Sequence, residues 1–289
     1  MTTPPAHPQH PTPVPPGPPD LELSVVAPAH NEQDNVEELV RQVGDAIGAL
    51  GITWEFVIVD DASRDATGDR VRELMPGRPW LRLIELSRPP SGGNGQSVAF
   101  KIGFQRARGR LIAVLDADLQ NDPADLPAML ERLRETGADF VQGDRSHARR
   151  DNWVRRQTSR VGRWFRRLIV GDTIRDTGCS LRVMKREIAV RLPLEFKGMH
   201  RFIPATARHM GYTVVEMPVH HRQRHAGETK YGSLGITKRA IPGLIDCFAV
   251  RYMRTRRRWA DVTDDRSGRG APSGVEAREP APAPTEHAG

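Results

Sequence analysis

The stretch Leu111 to Pro123, LIAVLDADLQNDP, constrains the fold more than any other part of the chain. A short continuous apolar run bounded by turn residues reads as a parallel strand buried on both faces. Leu111 to Leu115 is therefore expected to be such a strand, delivering Asp116 and Asp118 at its carboxyl end, where open α/β sheets bind ligands. Two carboxylates one residue apart repel unless a cation lies between them. An all-oxygen site suits Mg²⁺ or Mn²⁺, which in turn grips a diphosphate. Taken alone, an Asp-x-Asp pair is as well explained by a turn or a helix cap after the strand.

Its surroundings argue for a site. Leu23 to Ala27 (LSVVA) and Glu55 to Val59 (EFVIV) are two further strand-like runs, with a helix expected from about Asn35 to Leu50 between them. This is a βαβ rhythm. The first run ends in Pro28-Ala29-His30-Asn31-Glu32 and the second in Asp60-Asp61-Ala62-Ser63-Arg64-Asp65. Three consecutive strands thus end in polar, mostly acidic loops on one edge of a parallel sheet.

The segments VVAPAHNEQDNV (from Val25), VIVDDASRDAT (from Val57), GNGQSVAFKIGFQRARG (from Gly93) and VLDADLQNDP (from Val114) are followed by VQGDR (from Val141), DTGCSLRVMKRE (from Asp176) and HRQRHAGETKYG (from His221). In this order the chain resembles the family 2 glycosyltransferases of GT-A fold over roughly Leu21 to Tyr252. The Asp-Ala-Asp-Leu-Gln and Arg-x-x-Gly-x-Thr-Lys strings resemble the branch, typified by dolichol-phosphate mannosyltransferase, that loads a sugar onto a polyprenyl phosphate.

That resemblance implies an α/β fold, Rossmann-like, with a mostly parallel sheet flanked by helices and amphipathic C-terminal helices. It implies transfer of a hexose from a GDP- or UDP-sugar to polyprenyl phosphate with inversion, assisted by Mg²⁺ or Mn²⁺ as a Lewis acid on the leaving diphosphate. Asp116, Asp118 and Gln120 match the family's metal and diphosphate positions; Pro28, His30, Glu32, Val59 and Asp61, with Asp116 and Ala117, match those that hold the nucleotide sugar. His30 stands where the family often has tyrosine. Arg145, Arg224 and Lys230 match cationic positions at the phosphates and join Asp118 as the catalytic set, and Arg155, Arg156 and Ser159 correspond to the acceptor-binding segment. GDP-mannose is the preferred donor, with UDP-glucose and UDP-N-acetylglucosamine behind it.

Acceptor chemistry separates this reading from its rivals. A hydroxyl acceptor needs a general base, and polysaccharide-forming relatives usually carry an acidic residue for this after the Gly-Cys motif. Here the region reads Gly198-Met199-His200-Arg201-Phe202, without a carboxylate. A phosphate monoester is already an anion near neutral pH. The alternatives are a same-fold enzyme with a glycan or small-molecule hydroxyl acceptor, and a catalytically silent nucleotide-sugar-binding scaffold subunit. Nucleic acid is not an expected partner, because nothing beyond charge suggests it.

Composition sets the remaining expectations. The chain of 289 residues carries a net charge of +7, with arginine far outnumbering lysine; arginine is suited to bidentate contact with phosphate oxygens. Residues 1–20, proline-rich, and 261–289 are expected to be disordered, flanking a catalytic domain over 21–233 and amphipathic, basic membrane-surface helices over 234–260. Trp153 to Val170 pairs an apolar helical face with arginines, and Gly235 to Trp259 runs apolar residues into Arg254, Arg256, Arg257 and Arg258. Both patterns suit an anionic membrane surface, and Pro242 is expected to break or kink the second. No run approaches the ~18 apolar residues of a membrane span and no signal-peptide pattern opens the chain. The expected location is cytoplasmic, peripheral at the membrane face, with an integral-membrane protein as a further candidate partner.

Weaker signals receive plainer readings. Gly92 to Ser97 meets neither the Rossmann nor the P-loop spacing and reads as a tight turn into a helix over Val98 to Ala107. His220, His221 and His225 fit no zinc spacing. Cys179 and Cys247 are too few for a disulfide framework, and Cys179 reads as a small buried thiol.

Overall fold

A computed structural model describes residues 20–89, 93–147, 165–222 and 235–257, the last stretch with side chains from residue 243 onward. The expected positions Arg155, Arg156, Ser159, Arg224, His225 and Lys230, both terminal tracts and Trp153 to Trp164 lie outside the described residues.

Seven strands form one sheet: β1 (Leu21–Ala29), β2 (Trp54–Asp60), β3 (Leu81–Glu85), β4 (Gly109–Val114), β5 (Phe140–Asp144), β6 (Arg182–Lys185) and β7 (Val214–Pro218). Their order is β3-β2-β1-β4-β6-β5-β7. β1 pairs in parallel with both β2 and β4, and β2 with β3. Only β6 runs against its neighbours β4 and β5, while β5 and β7 are parallel. The sheet is therefore mostly parallel, and its three runs read from sequence are β1, β2 and β4. They are not consecutive, because β3 intervenes and extends the sheet beyond β2.

Helices cover both faces, as a sheet with two apolar faces requires. The helices are α1 (Val36–Gly48), α2 (Thr67–Leu74), α3 (Gln96–Arg106), α4 (Leu126–Thr136), α5 (described over 165–170), α6 (Arg186–Arg191), α7 (Ile203–His209) and α8 (Gly235–Arg256). Strand alternation sorts the side chains. Leu23, Val25, Phe56, Ile58 and Ala113 pack with Leu39, Val43 and Ile47 of α1 and Met129 of α4. Val26, Val57, Val59, Ile112 and Val114 pack on the other face with Phe100 and Phe104 of α3 and with α6, α7 and α8.

The amino end of the sheet contains a buried polar network. Glu55 of β2 is 0 % exposed. Its carboxylate accepts from Ser24 Oγ at 2.6 Å, Arg82 Nη1 at 2.5 Å, and Arg108 N and Nε at 2.7 and 3.0 Å. Burial alone would push this carboxyl up, but these donors more than reverse that and hold it below the usual range. Gly109 is required beside it, since a Cβ there would lie 2.3 Å from the Ser24 amide nitrogen.

α8 is helical on both sides of Pro242, so the proline does not end it. Cys247 and Val250 are buried in the second core, whereas Ile245, Phe248 and Tyr252 are 61, 56 and 63 % exposed. α5 lies against it, with Phe165 edge-on to Phe248 at 6.2 Å and Arg251 donating to the Ile169 carbonyl at 3.1 Å. Leu168 of α5 is likewise 63 % exposed. Among the described residues no helix is long and apolar enough to cross a membrane.

Candidate active site

β1, β2 and β4 are each followed by a loop containing a non-glycine residue with left-handed backbone: Asn31 after β1 (φ 58°), Ala62 after β2 (φ 57°) and Leu119 after β4 (φ 60°). Such conformations are uncommon and concentrate at functional sites. Here they turn the chain sharply at the carboxyl edge, where a cavity of about 300 Å³ opens. It is lined by Pro28, Ala29, His30 and Glu32 from β1 and its loop, Asp61 from β2, Gln96 from α3, and Asp116, Ala117 and Asp118 after β4. A larger open depression of about 730 Å³ lies at the opposite edge, among Glu22, Arg110, Arg134 and Lys185. The smaller cavity is the one that holds an adjacent carboxylate pair at the topological switch point between β1 and β4.

The Asp116 carboxylate is held from two sides. Gln96 Nε2 donates to its Oδ1 and Ser180 Oγ to its Oδ2, each at 2.6 Å; Ser180 Oγ also lies 2.8 Å from Asn121 Oδ1. Burial first, and then the charge of Asp118, push the Asp116 carboxyl above the usual carboxylate range, against the Ser180 hydrogen bond and the charges of Arg182 and Arg145. Asp118 Oδ1 accepts from the Gln120 amide at 3.2 Å. Two hard oxygen donors whose mutual repulsion is incompletely compensated fit a divalent cation such as Mg²⁺ or Mn²⁺. Of Gln120, the backbone is what is engaged: its amide on Asp118 and its carbonyl accepting from Arg222 N at 3.0 Å.

Asp61 has a different part from its neighbours in the cavity. Its carboxylate accepts from Asn94 N at 2.7 Å, Asn94 Nδ2 at 3.0 Å and Gly95 N at 2.7 Å, and so anchors the turn into α3. Gly95 needs its glycine, having φ 93°. His30 Nδ1 lies 2.7 Å from the Asp61 carbonyl; a carbonyl oxygen only accepts, so this nitrogen carries the proton.

Other expected positions are placed differently. Val59 is fully buried in the core against α3, because strand alternation turns it away from the cavity. Arg145 is no exposed cation: it is buried and donates to Asp176 through Nε at 2.8 Å and Nη2 at 3.3 Å. Cys179 is a buried thiol pushed up to about 11 by burial, which suits packing and not nucleophilic attack.

Four residues here stand outside the expected site set although each lies in a segment that carries the family resemblance or its acceptor argument: Gln96, Ser180, Arg182 and His200. Arg182 donates to the carbonyls of Cys179 (2.5 Å), Ser180 (3.1 Å) and His200 (3.3 Å), and burial pushes it down to about 10. The His200 ring sits 2.9 Å from Ser97 Oγ through Nδ1, and burial, Arg201 and Arg182 push it down to about 4.

The segment leaving β7 is stitched to the loop that carries the aspartates. His220 Nδ1 and N both contact Asp125 at 2.7 Å, and Asn121 bridges His221. Arg222 reaches Asp122 at 2.5 Å. Residues 220–222 are thereby fixed to the loop that follows β4.

The family model described as glycosyl transferase family 2 matches residues 24–192. The chain is 38 % identical over 237 residues to a dodecaprenyl-phosphate galacturonate synthase of Rhizobium johnstonii, covering 80 % of this chain and 68 % of that protein. It is 33 % identical over 232 residues to an undecaprenyl-phosphate 4-deoxy-4-formamido-L-arabinose transferase of Edwardsiella ictaluri, covering 80 % of this chain and 69 % of that one. Among solved structures, glucosyl-3-phosphoglycerate synthase from Mycobacterium tuberculosis, with Mn²⁺, UDP and phosphoglyceric acid, superposes with a TM-score of 0.60 at 16 % identity, covering 80 % of each chain. That likeness establishes the GT-A fold. With the family model spanning more than half of its residues and these relatives matching across their greater part, the chain belongs to glycosyl transferase family 2.

Proposed function

We propose that the protein transfers a single sugar, a hexose in the first reading, from a nucleotide diphosphate sugar to a polyprenyl phosphate in one inverting displacement. The observation that carries the acceptor assignment is that Gly198 to Phe202, the stretch where hydroxyl-acceptor enzymes of the family place a carboxylate base, contains no carboxylate, and its one imidazole, His200, has Nδ1 2.9 Å from Ser97 Oγ. A phosphate acceptor needs no such base. The names of both curated relatives, each a polyprenyl-phosphate enzyme, support the same acceptor.

In this reading Pro28, His30, Glu32 and Ala117 receive the nucleotide sugar, and Asp116 and Asp118 face the diphosphate. Asp118 and Asp116 would hold Mg²⁺ or Mn²⁺, which supplies Lewis-acid stabilisation of the leaving diphosphate when bound. Arg224 and Lys230 compensate the acceptor phosphate, and Arg155, Arg156 and Ser159 belong to the segment that binds the acceptor. Arg145, neutralised by Asp176, contributes a fixed dipole and keeps its loop in place. GDP-mannose remains one candidate donor; the galacturonate and formamidoarabinose in the relatives' names add UDP-uronic acids and UDP-pentoses to the panel.

The exposed Leu168, Ile245, Phe248 and Tyr252, with Arg251, Arg254 and Arg256 on the same helix as the last three, support attachment to an anionic membrane surface where such an acceptor resides. The testing experiment is a panel of radiolabelled nucleotide sugars incubated with undecaprenyl phosphate and Mn²⁺ or Mg²⁺. Label moving into the organic phase from one donor is the expected result. Transfer to water-soluble glycans alone would replace the proposal with the hydroxyl-acceptor reading.

A further inference from the structure

We infer that Asp61 acts on the donor site at one remove, as a positioning residue: it holds the turn that delivers Gln96, and Gln96 together with Ser180 sets the orientation of the Asp116 carboxylate. The inference rests on Asp116 and Asp118 being the donor-site carboxylates, and is independent of which acceptor is used.

The argument follows from where the hydrogen bonds go. A carboxylate facing a ligand must be both desolvated and correctly rotated, and a side chain with free rotation meets neither condition. Asp116 is fixed by one donor on each oxygen, Gln96 Nε2 and Ser180 Oγ at 2.6 Å, which leaves further lone pairs of both oxygens for a ligand. The two donors come from different parts of the chain, so neither can hold Asp116 unless its own element is fixed. Ser180 is steadied through its carbonyl, which accepts from Arg182 Nε at 3.1 Å. Gln96 is the first residue of α3, and the two residues before it are tied by three N–H groups to Asp61. Asp61 is itself buried, with its amide on the Ala29 carbonyl at 2.8 Å. A continuous hydrogen-bonded path therefore runs from the end of β2, through the turn, to the carboxylate after β4. The carboxylate of Asp61 thus serves that turn while also lining the cavity.

Groups that orient a ligating carboxylate typically matter 10- to 100-fold for metal affinity. The test is binding of Mn²⁺ alone, read by electron paramagnetic resonance of the free ion, and of UDP and GDP in its presence, read by calorimetry. Gln96→Met keeps the volume and removes the donor; Ser180→Ala removes the hydroxyl and Ser180→Thr retains it; Asp61→Asn weakens the anchor. We expect Mn²⁺ affinity to fall about 10- to 100-fold in Gln96→Met and Ser180→Ala and to stay near the parent value in Ser180→Thr. Asp61→Asn should lower Mn²⁺ affinity as well, and the double variant with Gln96→Met should be no weaker than Gln96→Met alone. Melting curves identify any variant that has failed to fold, and the Ser180 pair then carries the comparison. If Asp61→Asn weakens nucleotide binding while Mn²⁺ binding is untouched, Asp61 contacts the nucleoside directly and the inference is overturned. Unchanged Mn²⁺ affinity in folded Gln96→Met and Ser180→Ala overturns it equally. Should the parent protein bind no Mn²⁺, the metal reading falls, and unchanged nucleotide affinity in those two variants then sinks the positioning role.

Discussion

Glu55 and Asp116 are carboxylates of the same sheet, placed at opposite ends of it. Glu55, near the amino end of β2, is surrounded by donors from Ser24, Arg82 and Arg108, and its carboxyl is held below the usual range. Asp116, beyond the carboxyl end of β4, has two donors and an acidic neighbour, and its carboxyl is pushed above that range. A satisfied buried charge stabilises a fold, whereas an incompletely compensated one is a reservoir that a ligand can relieve. Desolvation acts on both, Glu55 being fully buried and Asp116 partly so; the difference lies in what surrounds them. The amino end of this sheet is built for stability, and the carboxyl end for binding.

The largest effect expected from that contrast is at Asp118. Asp118→Ala should depress transfer by ~10² to 10³, the scale of one lost electrostatic contact to a transition state, with the melting midpoint little changed. Near-normal transfer by folded Asp118→Ala with metal present would remove the carboxylate pair from the mechanism.

The two carboxylates should respond in opposite ways to neutralisation. Asp116→Asn is expected to abolish most transfer while leaving the midpoint of the metal-free protein unchanged or higher, because it removes repulsion with Asp118. Glu55→Gln should leave the activity of the folded protein intact and cost ~1 to 3 kcal/mol in stability, since its donors lose a charged acceptor, or several degrees in midpoint. Equal destabilisation by both changes would erase the distinction between the two ends.

A smaller effect concerns pH. The folded Glu55 carboxyl lies below its unfolded value, so its contribution is complete above ~4.3, the unperturbed value, and is lost as pH falls through the lowered folded value. Melting midpoints measured from neutral to acid pH should therefore fall more steeply for the parent than for Glu55→Gln. The smallest effect is at the surface: binding to anionic vesicles should weaken as salt rises, and Phe248→Ser should weaken it further without altering nucleotide affinity. Binding indifferent to lipid charge and salt would count against α5 and α8 as the membrane face.

Much of the central sheet was readable because buried parallel strands are continuous apolar runs; β1, β2 and β4 are such runs, and the acidic loops after them reach one cavity. β3 was not, since Arg82 interrupts its apolar residues and half-exposed side chains at the sheet's edge need no continuous run. The site was legible wherever its residues follow a strand directly. Gln96 and Ser180 were not, for they meet Asp116 across 20 and 64 positions, a relation that no local spacing records. Local sequence presents Arg145 as a phosphate-facing cation because its partner Asp176 lies 31 positions away. Val59 belongs with the core instead of the nucleoside residues, as the period-two pattern that turns it toward α3 requires.

The most direct test of the whole account compares acceptors on one enzyme: polyprenyl phosphate against the free polyprenol of the same length, with the donor that supports transfer. With no carboxylate in Gly198 to Phe202 to take a hydroxyl proton, the account predicts transfer to the phosphate and none to the alcohol, at every pH between roughly 6 and 8, where a phosphate monoester is an anion. Efficient glycosylation of the free polyprenol would contradict it and require a general base elsewhere in the chain.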